Sequence, residues 1–156
     1  AVQKLSLLGA IANDNPDRFR VDGPAASLSD LNKKAYRFRP NDSVTMGEFA
    51  RMAVKGLQVP LSITASHFRD VPRGHFAFKF IETLYDYSTQ SKAPFFEFEL
   101  NKNIKIAFAH PNKSVSSKQA IKILSGLLKR NIQEIDKTNK ALTRGQAAQL
   151  IGQFLN

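Results

Sequence analysis

Cysteine and tryptophan are absent from the 156-residue chain, and only two methionines and three tyrosines occur. Without cysteine there is no disulfide framework, no thiolate nucleophile and no Cys-ligated zinc; reducing and oxidising compartments both stay open. No apolar run approaches the roughly 18–20 residues that cross a bilayer. Nor does a basic-then-apolar signal segment follow Ala1. Acidic residues are few, 13 against 23 Lys and Arg, for a formal charge of +10. Such a surplus attracts polyanions: nucleic acid, anionic wall polymer, lipid headgroups. The cations are scattered, without the basic run of a nucleic-acid arm, which argues against nucleic acid as the partner. Catalytic patterns are missing too. There is no Ser/His/Asp order, glycine-rich phosphate loop or calcium loop. His67, His75 and His110 lack the i, i+4 spacing of a helical metal pair. The chain reads as non-enzymatic, with no cofactor and no metal.

What is present is a core and a repeat. Apolar residues make up 42%, and a domain of about 150 residues buries roughly 68–70% of its unfolded surface. Three segments share one pattern: Val44-Thr45-Met46-Gly47-Glu48-Phe49-Ala50, Val115-Ser116-Ser117-Lys118-Gln119-Ala120-Ile121 and Leu142-Thr143-Arg144-Gly145-Gln146-Ala147-Ala148. Each pairs a hydroxyl with Glu or Gln three residues later, the signature of a capping box at a helix start. The apolar slots that follow agree in register. Phe49, Ala50, Met52, Ala53 and Leu57 correspond to Ala120, Ile121, Ile123, Leu124 and Leu128, then to Ala147, Ala148, Leu150, Ile151 and Leu155. That spacing is one broad apolar helix face. Pro40-Asn41 and Pro111-Asn112 precede the first two copies as extended-then-turn leads.

A second helical pattern, Phe78 to Tyr87, is matched by Val2 to Leu8, with Gly9 at the stop. The spacing predicts helices near 2–8, 46–57, 76–87, 117–129 and 144–155. The stretch 95–108 alternates apolar and polar around Asn101-Lys102-Asn103 and predicts a β-hairpin. In it Phe96, Phe98 and Leu100 would share a face, with Glu97 and Glu99 opposite them and near Lys105. The domain is then read as 1–57 (a first repeat lacking its start), 66–128 (a second repeat carrying the hairpin) and 129–156 (a shortened third). The opening AVQKLSLLGAI reads as a helix already under way. The expectation is a fragment of a larger exported protein, its signal outside the fragment.

Two of these motifs resemble a known family. Phe68-Arg69-Asp70-Val71-Pro72-Arg73-Gly74-His75-Phe76-Ala77, followed by Ile81 and Leu84, is similar to the opening signature of an S-layer homology repeat, Phe-x-Asp-Val-Pro-x-x-His-Trp-Ala. Phe38-Arg39-Pro40-Asn41 through Thr45-Met46-Gly47-Glu48-Phe49-Ala50 is similar to its closing signature, which ends Thr-Arg-Ala-Glu-Phe-Ala. The resemblance implies a mainly α fold, a pseudo-threefold array of helix-loop-helix repeats, here with one inserted β-hairpin. It implies an extracellular or envelope location and attachment to an anionic cell-wall polysaccharide. The family's Arg after the cap and its His-Trp region line the glycan grooves, which carries over to Arg144, Asp70, His75 and Phe76 as ligand-binding residues. Three departures stand out: the Arg slot holds Met46 and Ser117 in the first two copies, the Trp slot holds Phe76, and the hairpin replaces a glycine-rich loop. They support an alternative partner, the remainder of the parent protein. On that reading the domain is a scaffold against the catalytic part of a secreted enzyme, such as a flavin-dependent oxidoreductase, with no glycan bound.

Overall fold

The structure, a computed structural model, describes residues 39–130, 132 and 140–155. Among them are four helices and one two-stranded sheet. In chain order they are α1 (Met46–Gly56), α2 (Phe78–Gln90), β1 (Glu99–Asn101), β2 (Ile106–Phe108), α3 (Ser117–Leu128) and α4 (Arg144–Gly152). The described part is thus mostly helical with a little strand. The helix expected at 2–8 and most of the polar stretch 131–140 lie outside the described residues.

All three hydroxyls start helices. Thr45, Ser116 and Thr143 sit in extended backbone and accept the amides of Glu48, Gln119 and Gln146 at 3.2, 3.2 and 3.1 Å. The Glu48, Gln119 and Gln146 side chains accept the cap amides in return at 3.0–3.1 Å. Two of the amides each helix start leaves open are satisfied in this way. Behind each cap the first four apolar slots are buried: Phe49, Ala50, Met52 and Ala53; Ala120, Ile121, Ile123 and Leu124; Ala147, Ala148, Leu150 and Ile151. The fifth slot, Leu57, Leu128 or Leu155, packs half-buried at the core's edge.

The residues before the caps tie the three helices together. Val44 donates its amide to Leu142 O (2.9 Å), Leu142 to Val115 O (2.8 Å) and Val115 to Val44 O (3.1 Å), closing a ring. A second cycle starts from the residues just after the three caps. Met46 donates to Lys113 O, Ser117 to Lys140 O and Arg144 to Asp42 O, at 2.9, 3.2 and 2.7 Å. The ring residues themselves are buried, so these backbone groups have no access to water and the bonds are obligatory. Arg39 and His110, which lead into the two Pro-Asn turns, both take a left-handed backbone, at φ 52° and 55°. Each accepts a turn-closing bond, from Asp42 and Lys113 respectively.

Helix α2 starts later than the 76–87 pattern suggested, because His75 ends a turn closed by His75 N to Pro72 O at 2.8 Å and Phe76 lies in the next, closed by Phe78 N to His75 O at 3.1 Å. It buries polar residues as well as Ile81 and Leu84. Glu82, Thr83, Asp86 and Ser88 are all buried and all bonded to neighbouring extended chain. Glu82 accepts the His67 amide at 2.9 Å and pairs with the His67 ring. Thr83 accepts the Ser62 amide at 3.1 Å, and Asp86 accepts the Ser62 and Thr64 hydroxyls. The polar side of α2 is a mooring for the loop 60–68. Helix α4 ends at Gly152, not at 155, in a turn closed by Phe154 N to Ile151 O.

The hairpin is shorter than expected and differently built. Strands β1 and β2 pair antiparallel with Glu99 opposite Phe108 and Asn101 opposite Ile106. The turn occupies residues 102–105, with Lys105 left-handed at φ 54°. Residues 95–98 are not strand, because the Phe95 and Phe96 amides both bond to Ser88 Oγ, at 2.8 and 2.9 Å, instead of to a partner strand. Phe96 is therefore buried, while Phe98 and Leu100 stay 41% and 50% exposed: the three do not share one buried face. Glu97 and Glu99 do not turn to Lys105 either. Glu97 meets Lys122 and Gln119, and Glu99 meets His110.

Candidate functional site

The residues expected to touch a ligand are used mainly by the fold. Arg144 is the first residue of α4, as the sequence indicates, but only 1% of it is exposed and its Nε lies 3.4 Å from Glu48 Oε2. The slot after the cap is buried in the other two copies as well, by Met46 and Ser117. Asp70 spends both carboxylate oxygens on backbone, accepting the Ala109 amide at 2.9 Å and the His110 amide at 2.8 Å. It thereby holds the end of β2 and the left-handed His110. The His75 ring accepts the Ala77 amide through Nδ1 at 3.1 Å, just ahead of α2, whose start has no side-chain cap. Phe76 stacks on His75, with centroids 4.9 Å apart, and stays 43% exposed. Asp70 and His75 do border one open cavity of about 480 Å³, together with His110, Asn112 and Lys113.

A second site was not singled out by the sequence. Two cavities of about 250 and 550 Å³ share Glu97, Lys113, Ser114 and Gln119 as walls. Together they form a groove over the capped start of α3. Lys113, Lys118 and Lys122 line it and are all exposed. Lys118 and Lys122 are four apart and so share one helix face. Gln119 serves two purposes: its Oε1 accepts the Ser116 amide, and its Nε2 donates to Glu97 Oε2 at 3.3 Å. The capping box thus fixes the direction of that donor. Glu97 Oε1 lies 3.3 Å from Lys122 Nζ. The Gln119 bond, more than the Lys122 ammonium, holds the Glu97 carboxyl below its ordinary pKa, against a smaller opposing effect of burial.

Three ammoniums and the Gln119 amide surround a groove that also holds the Glu97 and Glu99 carboxylates, and the surplus of cations and donors is chemistry for holding an anion. Among the described residues no three His, Asp or Glu side chains gather as metal ligands, and no helix is long and apolar enough to cross a membrane. The sequence does show lysines at 118 and 122 beside a cap. Only the fold shows that the arm after Phe96 brings Glu97 to them. No family model and no curated protein matches the chain.

Proposed function

We propose that the chain is an S-layer-homology-like, non-catalytic module that attaches its parent protein to an anionic cell-wall glycan. The observation that carries this reading is the lysine-lined groove over α3. The cyclic hydrogen bonding of three capped helices supports the repeat array that the resemblance implies. The contact chemistry differs from the family's. With Arg144 buried against Glu48, the anion is met by Lys113, Lys118 and the donors beside them. A second reading, a scaffold packed on the rest of its parent protein, is favoured by the burial of all three post-cap slots. Exposed Phe98, Leu100 and Ile104 on the hairpin and its arm point the same way.

Co-sedimentation with isolated wall polysaccharide at low and high salt separates the two. Attachment through exposed ammoniums gives binding that weakens as salt shortens the Debye length from about 30 Å at 0.01 M to about 8 Å at 0.15 M. Lys113→Ala with Lys118→Ala should weaken it by roughly 1 kcal/mol, the scale of exposed charge pairs. If the wild-type protein does not sediment with the polysaccharide at either salt, the scaffold reading stands alone.

A further inference from the structure

The groove is not empty of acid: Glu99 lines it, paired with His110, and so does Glu97. The Glu97 carboxylate takes the Gln119 amide and faces the Lys122 ammonium, each at 3.3 Å. A bound polymer's acid group would make these same two contacts. Glu97 is no loose surface acid. The two residues before it, Phe95 and Phe96, are buried at 3% and 4% exposure, and their amides are pinned to Ser88 Oγ. A short, anchored arm therefore delivers the carboxylate to the groove at high effective concentration, on the order of millimolar for short tethers.

We infer that Glu97 is a resident competitor that sets the specificity of the groove, admitting polyanions with closely spaced charges and rejecting isolated acids. This rests on the groove being the anion site. A single acid group exchanges one carboxylate for another at Gln119 and Lys122 and gains little over the tethered one. A polymer with neighbouring acids can engage Lys113 and Lys118 first and then displace Glu97 from Lys122. The exchange needs no change in the fold, since Glu97 is 57% and Lys122 48% exposed at the side chain.

Calorimetry with polygalacturonate and with monomeric galacturonate tests this on the whole chain. Wild type should bind the polymer and show no heat with the monomer. Glu97→Gln should bind the polymer about three- to tenfold tighter, the range expected when one like charge is removed a few ångströms from the bound anion. Asp42→Asn is the charge-matched control, because Asp42 pairs with Arg39 and lines neither cavity. An equal gain in both variants, or no gain in Glu97→Gln, overturns the competitor role. The groove still stands in that case if Lys113→Ala with Lys118→Ala weakens binding. If neither wild type nor Glu97→Gln binds polygalacturonate or wall polysaccharide, the groove and the competitor fall together. Circular dichroism of each variant checks that the fold is kept.

Discussion

Gly126→Ala should destabilise the protein even though it improves a helix. Gly126 lies inside α3, where alanine is favoured over glycine by about 1 kcal/mol. A Cβ built there stands 2.1 Å from Phe95 Cδ2, 2.3 Å from Cγ and 2.6 Å from Cε2. Ordinary carbon contacts are about 3.5–4.0 Å, so the ring must retreat by more than about 1 Å. The ring is 3% exposed and its backbone amide is held by Ser88, so it can retreat only by turning about its own side-chain bonds toward the open cavity of about 420 Å³ that it lines with Gly126. Overpacking of this kind costs about 1–3 kcal/mol, and set against the propensity gain of about 1 kcal/mol it leaves a net loss of up to about 2 kcal/mol. At about 2–4 °C per kcal/mol for a chain of this size, the melting temperature should fall by up to about 8 °C. In a Phe95→Ala background the obstacle is gone, and Gly126→Ala should raise stability by up to about 1 kcal/mol. Urea unfolding of the four proteins reads the reversal directly. The same loss in both backgrounds, or a gain in the first, would refute the claim that the bare face of Gly126 seats Phe95.

Arg144→Ala should lower stability by about 1–3 kcal/mol in thermal melts, because it removes one partner of a largely buried charge pair and leaves Glu48 behind; a melt unchanged from wild type would mean the pair is idle. Leu124→Ala, fully buried, should lose about 2–5 kcal/mol, and Thr143→Ala, which loses only a cap, about 1 kcal/mol. The opposite order would contradict the burial of the α3 face. The folded-state pKa of Glu97 is depressed, so its contribution is present above the unfolded value, about 4.3, and is lost as pH falls through the folded value. Wild type should accordingly lose slightly more stability than Glu97→Gln between pH 5 and 3, and identical pH profiles would count against the Gln119 and Lys122 contacts.

The parts of the fold that could be read in the sequence are those set by neighbours along the chain. A hydroxyl and a Glu or Gln three residues apart satisfy each other's backbone locally, so Thr45, Ser116 and Thr143 could be placed at helix starts from spacing alone. The apolar slots behind them follow helical period and are buried as read. What escaped depends on partners far away in sequence. Alternation at 95–100 suggested a strand, but Ser88, seven and eight residues earlier, captured two of its amides. The burial of Glu82 depends on His67, fifteen residues earlier, whose amide and ring both meet its carboxylate. At the site, position correctly put Arg144 first in its helix. It is buried with Glu48, almost a hundred residues away, beside its guanidinium, and no local pattern carries that information.

The closed ring of Val44, Leu142 and Val115 also fixes when the domain can be completed as it leaves the ribosome. With the first two segments made, only Val115 N to Val44 O can form; the Val44 amide and the Val115 carbonyl must wait for Leu142. Two buried backbone groups left open cost about 1–3 kcal/mol each, comparable with the whole margin of a typical domain. Helices α1 and α3 can therefore form early but cannot lock. Of the three ring segments the one made last is the keystone, and a nascent chain stalled before Leu142 should remain open to protease while one extended past α4 resists it.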